Sequence, residues 1–399
     1  MKTKLTTCFK IAGILQDLRA VTAPAEVQWN TNHANSGWQW LIFVYDWDIL
    51  RLSNNVSNIP SSTLNLCTEY FPCALNLRGG PRSTLQIPGD GRFVCLASVG
   101  CSQIALFSVD IVCTGNRRSI FTMQGSALFL SNVSVAGCRS NSDGAALHAY
   151  NMAQIVIDAS NFTDLHSTRL GGAVSTIGSN ISLSGTRFEN CFAEGGGGAV
   201  RSESYPDCFG TNESSRSYLR IQSSTFTHCG AEGPGGALLA HSSTSAENRG
   251  TLDVSILSSN FLQCTSASAG GALRVSGSQV SAYLTDTLLD SCISGGSGGS
   301  ISLSDFSSLS VVNCKIQNNT ALGRGPAGGA VHLNRSYFSA YNSQINRNKA
   351  PRGGGGAIFW QGWINPASIR CPENTYSVAA SCLYPSAQNT NCKIQTCNA

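Results

Sequence analysis

Four times in this chain a cysteine stands six residues before a Gly-Gly pair. Cys191 precedes Gly197 and Gly198, Cys229 precedes Gly235 and Gly236, Cys264 precedes Gly270 and Gly271, and Cys292 precedes Gly298 and Gly299. An apolar anchor lies three residues before each cysteine. Followed in both directions, the anchors are Val135, Phe162, Phe188, Phe226, Phe261, Leu289, Ile316 and Ile345, at spacings of 27, 26, 38, 35, 28, 27 and 29 residues. Two further apolar columns keep register upstream of them, as in Ile155 and Ile157, Leu219 and Ile221, or Leu309 and Val311. Apolar residues two apart form one face of a strand. Between these columns and the anchors run Asn132, Ala159, Gly185, Ser223, Ser258, Asp286, Asn313 and Asn342, mostly turn formers. Each unit therefore reads strand, bend, short strand, glycine turn, strand.

A period of this length with strand periodicity and no helical pattern indicates a solenoid of β coils. One coil cannot bury its own apolar face. Stacking at about 4.8 Å per coil lets each strand pair in parallel with the next. Parallel connections of this kind are right-handed. The expected fold is all-β, a right-handed parallel β-helix. Glycine reaches φ > 0 without a Cβ penalty, so the Gly-Gly pairs are read as tight corners. After them Val200, Leu238, Leu273, Ile301, Val331 and Ile358 should point inward. The next residue of each coil should point outward: His148, Ser175, Arg201, Leu239, Arg274, Ser302, His332, Phe359.

The glycine motif also occurs at Gly171-Gly172, Gly328-Gly329 and Gly355-Gly356, each followed by Ala and a branched aliphatic residue. Gly-Gly-Ala-(Ile/Leu/Val) joined to Phe-x-x-Asn resembles the repeats of the polymorphic outer-membrane protein family, over roughly residues 128 to 360. In this chain Cys replaces Asn in most copies; only Asn319 and Asn348 keep it. The resemblance implies a β-helix of the pectin-lyase-like kind and a surface adhesin.

Domain limits are expected at 1–66 (cap or leader), 67–363 (β-helix) and 364–399 (Cys-containing tail). Leu5, Phe9, Ala12, Leu15 and Leu18 have helical spacing and suit a short capping helix. The structure around Trp38, Trp40 and Trp47 stays open. No apolar run is long enough to span a bilayer, and the N-terminus makes a poor signal peptide. Either the gene start is wrong, the chain is a fragment of a larger repeat protein, or export follows another route.

Net charge is +4 with no basic cluster, which argues against a nucleic-acid binder. Seventeen cysteines are many for a cytosolic protein. Those at Cys67/Cys73, Cys95/Cys101 and Cys371/Cys382/Cys392/Cys397 are expected to staple the ends, whereas Cys191, Cys229, Cys264 and Cys292 read as a buried stack of free thiols. No paired C-x-x-C spacing suggests a metal site, and no cofactor motif is present. Asn-x-Ser/Thr sequons at Asn55, Asn132, Asn161, Asn180, Asn212, Asn318 and Asn334 agree with an extracellular or cell-surface setting.

Two coils carry insertions after the Gly-Gly-Ala strand, at 203–216 and 242–250; the first holds Tyr205 and Asp207. A lyase or hydrolase on this fold needs carboxylates converging from neighbouring coils. The outward column has none. Asp158 and Asp164, or Asp286 and Asp290, belong to single coils, and His148 and His332 are too far apart for a dyad. No catalytic residue is assigned. His148, Arg201, Arg274 and His332 suit an acidic glycan, with Leu239 and Phe359 adding apolar contact. The favoured function is non-catalytic adhesion to glycans or cell-surface proteins. The alternative is a polysaccharide lyase or glycoside hydrolase, and the two differ in whether carboxylates meet beside the 203–216 insertion.

Overall fold

The computed structural model describes residues 101–361, apart from 116–117, 205–215, 243–249, 325–326 and 353–354, and only strands before residue 101. The helix expected over 5–18, Trp38, Trp40 and Trp47, the insertion residues Tyr205 and Asp207 and the tail from 364 lie outside the described residues. Among those described there is no helix. The chain is an all-β parallel solenoid of about nine turns.

Four parallel sheets run along the described molecule, with 12, 11, 11 and 7 strands. One turn shows the layout. Leu147–Tyr150 lies on face 1, Gln154–Asp158 on face 2, Asn161–Thr163 on face 3, and the two residues His166–Ser167 on face 4. The chain then passes Gly171 and Gly172 and returns to face 1 at Val174–Ile177. Each strand pairs with its counterpart one turn on, residue for residue: Leu147 with Val174, Ile155 with Ile181, Phe162 with Phe188. Strands Ile49–Leu52, Ser57–Asn58 and Thr63–Asn65 already pair in this way with strands of later turns.

Alternation follows from the strand period. On face 2, Ile155, Ile157, Leu219, Ile221, Leu309 and Val311 are all at most 2% exposed. The anchors Phe162, Phe188, Phe226 and Phe261 stack ring on ring inside the solenoid, with centroids 5.0, 4.9 and 4.6 Å apart. Rings one rung apart are brought almost parallel, and their burial removes large apolar areas from water.

The bends have three parts. The turn-forming column is left-handed throughout, with φ from 44° at Ala159 to 57° at Gly185. A second left-handed column, two residues after each anchor, includes Asn190, Gln263 and Arg347, with φ of 53° to 54°. Gln and Arg are not turn residues, so this column was not legible in composition. Just before the anchors runs a hydroxyl ladder. Ser224 Oγ accepts from Thr186 N (3.2 Å) and donates to Gln222 O (2.8 Å), and Ser259 Oγ accepts from Ser224 N (3.1 Å). Cys314 takes the same place, accepting from Thr287 N at 3.4 Å. These side chains bond the backbone of the previous coil where strand pairing lapses.

The Gly-Gly pairs perform two tasks rather than one. In five of the pairs the first glycine is left-handed, with φ of 64° at Gly197 to 73° at Gly235. The second is not. A Cβ on Gly236 would instead fall on the carbonyl oxygens of Gly271 and Thr265 in the next coil, and the same holds at Gly172, Gly198, Gly271, Gly299 and Gly329. Ala145 fills this column one coil before the pairs begin.

The cysteine column also has a structural role. Sγ of Cys191, Cys229, Cys264 and Cys292 lies 3.6 to 3.7 Å from the carbonyl oxygen of the preceding coil's anchor. Asn319 Nδ2 and Asn348 Nδ2 donate to the corresponding carbonyls, Leu289 O at 3.2 Å and Ile316 O at 2.9 Å. Cys and Asn thus alternate as donors at one position. All four cysteines are free and buried, as is Cys314. Burial pushes the Cys191 and Cys264 thiols up and keeps them protonated. Cys113 and Cys138, on adjacent coils, form a disulfide with Cα atoms 4.9 Å apart.

Candidate functional site

The column singled out in the sequence is continuous in space. On face 1, His148 pairs with Ser175, Ser175 with Arg201, then Leu239, Arg274, Ser302, His332 and Phe359 follow rung by rung. It lies outside the apolar interior but is not open surface. Ser175 and Ser302 are fully buried, and Arg201, Leu239 and His332 are 7 to 8% exposed. The column lies against the glycine corners, where a Cβ on Gly171, Gly197, Gly298 or Gly355 would meet the side chain of Ser175, Leu239, His332 or Phe359. Tyr205 and Asp207 lie outside the described residues.

Along this column the two arginines are engaged within the protein. Arg201 pairs with Glu203 and with Asp143 (3.8 Å) and donates to Ser175 Oγ at 3.3 Å. Asp143 is a residue the sequence reading missed. It sits in the turn before the glycine corner, accepts from Leu170 N (3.3 Å) and meets Arg169 (3.5 Å), tying neighbouring coils together. Arg274 donates to Ser302 Oγ and Ser304 Oγ, both at 2.5 Å. Asp143 and Glu203 therefore converge on Arg201, and Arg169 is a second cation at Asp143, so both carboxylates are engaged in ion pairs.

His332 stacks on Phe359, with centroids 5.9 Å apart, and both its ring nitrogens are buried without a hydrogen-bond partner. Burial, with Arg274 adding to it, pushes its pKa down to about 4. His148 is also pushed down, chiefly by burial and against the pull of Asp143. His241, on the outer side of the same face, bonds Ser276 Oγ at 2.9 Å. All three imidazoles lean toward the neutral form.

At the N-terminal end of the column, around His148, lies a cleft of about 600 Å³. Its floor is Arg92, Thr122, His148 and Tyr150 on face 1, and its wall is Arg118, Ser119, Asn141 and Ser142. The His148 and Tyr150 rings are 5.4 Å apart. Of the sequence-selected residues only His148 lines this cleft. Arg92, Arg118 and Tyr150 lie outside the regular Gly-Gly coils or one position off the chosen column, so the repeat could not flag them. Among the described residues no group of three or more His, Cys, Asp or Glu is placed to hold a metal ion. Comparison with protein-family models, curated proteins and solved structures finds no match, so the fold rests on its own geometry and the site on its own chemistry.

Proposed function

We propose that the protein is a non-catalytic surface or extracellular binder that takes an acidic glycan into the face 1 cleft. The observation that carries this reading is the lining of the cleft. Two arginines, a histidine, a tyrosine and four hydroxyl or amide side chains surround it, and no carboxylate is among them. Arginine presents a planar fork that matches a carboxylate. Hydroxyl and amide groups match sugar hydroxyls, and Tyr150 offers a ring edge or face to a pyranose. Arg201 and Arg274 farther along face 1 are held by Asp143, Glu203 and serine hydroxyls, and Arg92 and Arg118 also have partners within the protein, so recognition at the cleft rests on its whole lining.

The test is a glycan array followed by calorimetry with uronate-containing oligosaccharides on the full chain. Arg118→Gln should weaken binding roughly tenfold, the worth of one charge-assisted contact, and the affinity should fall with salt. Failure of all acidic glycans to bind, or equal binding by the variant, sinks the reading. A second reading, a polysaccharide-cleaving enzyme, is favoured by one observation, the meeting of Asp143 and Glu203 at Arg201. Its signature is accumulation of reducing ends or of unsaturated uronate on prolonged incubation, lost in Glu203→Gln.

A further inference from the structure

The last three rungs of face 2, Val280–Thr285, Ser308–Val312 and Tyr337–Tyr341, are in register and present nine side chains outward. These are three tyrosines, four serines, one threonine and one valine, with no charge. The tyrosines are the most open aromatic groups of the array: Tyr283 is 54% exposed, Tyr337 47% and Tyr341 58%. Tyr283 occupies the middle of one rung; Tyr337 and Tyr341 hold the two ends of the rung two steps on. With rungs about 4.8 Å apart and alternate residues about 6.7 Å apart along a strand, Tyr283 lies about 12 Å from each of the other two, which are about 13 Å from each other. The nearest charged residues in sequence, Asp286 and Arg335, stand in the left-handed bends at the strand ends.

From this array we infer a second binding surface, independent of the cleft, for an extended uncharged polysaccharide such as a β-linked glucan or chitin chain. Open tyrosine rings give flat, stiff, apolar contact with a polar tip. The serines between them supply hydroxyls at the same height, and Ser308 already bonds Ser281 across the rungs at 3.2 Å. A neutral plate has no electrostatic attraction for an acidic chain. A second protein copy laid on it would bury the serine hydroxyls without assured partners, which is costly, whereas a sugar chain brings hydroxyls of its own. The three rings form a triangle with edges of about 12 to 13 Å, which suits the flat face of laterally packed polysaccharide chains rather than a small ligand.

The test is depletion of the full chain from solution by insoluble cellulose and by chitin, in low and high salt. Serine stands opposite Tyr337 at Ser308 and opposite Tyr283 at Ser255, and threonine stands two rungs before Tyr341 at Thr285, so Tyr337→Ser, Tyr283→Ser and Tyr341→Thr keep the strand pattern. Retention should be insensitive to salt. Each single change should weaken it about threefold to tenfold, and the triple change should abolish it. Arg118→Gln should leave it intact, which separates this surface from the acidic-glycan cleft. If the triple variant fails to fold, the single variants decide. Absence of retention on either solid, or retention equal in the variants, overturns the inference. So does a concentration-dependent dimer that disappears with the tyrosines, because the face is then a self-association surface.

Discussion

At the scale of single residues, two glycines that look alike in the repeat are held for different reasons. Gly236 meets backbone carbonyls of the next coil, whereas a Cβ on Gly185 would find Ala159 no closer than 3.7 Å. Gly236→Ala should therefore cost about 3 kcal/mol, since only backbone can give way. Gly185→Asn should cost less than about 1 kcal/mol, because asparagine tolerates the left-handed conformation and already occupies that column at Asn132 and Asn313. Denaturant titration of both variants checks the contrast. His332 gives a pH prediction. Its folded pKa, about 4, lies below the ordinary 6.5, so protons bind the unfolded chain more tightly. The stability is whole above pH 6.5 and is lost as the pH falls toward 4. His332→Phe, which continues the stack on Phe359, should flatten that part of the melting-temperature profile. An unchanged slope would place the acid sensitivity elsewhere, with His148 and His241 next in line.

At the scale of one coil, the unit is closed by side chains that reach back to the coil before it. The hydroxyl ladder does this ahead of the anchor, and the Cys or Asn column does it after. Asn319 Oδ1 also accepts from Cys292 N at 2.9 Å, so asparagine fills both halves of the gap. Cys292→Asn extends the ladder beside Asn319 and should leave stability within about 1 kcal/mol. Cys292→Val leaves the Phe261 carbonyl without its donor and should cost about 1–3 kcal/mol. Thermal melts of the pair test whether this column is held by hydrogen bonding or by volume alone; equal losses would favour volume. The expectation that these cysteines form a stack was readable from spacing. Their donor role was not, because it depends on how near the neighbouring coil's carbonyl comes.

At the scale of the molecule, stability is carried between neighbouring coils. Hydrogen exchange should be slowest in the stacked phenylalanine coils around Phe188, Phe226 and Phe261, and fastest in the last rungs, where Ile345, Ile358 and Trp360 are only partly buried. Uniform protection from end to end would contradict nearest-neighbour coupling. The chain by itself determined the architecture, since a strict period of apolar strand positions, glycines and bend residues admits one way of burying its apolar face. It also determined the outward column, because strand alternation is local. Only the folded structure decided that this column is largely covered, with Arg201 held by Asp143 and Glu203 and a cleft around His148 at one end. Only it brought Tyr283 together with Tyr337 and Tyr341, which lie on a strand two rungs on, into one uncharged plate. Burial and pairing depend on what the neighbouring coils and turns bring, and those distances are set by winding, which no single repeat contains.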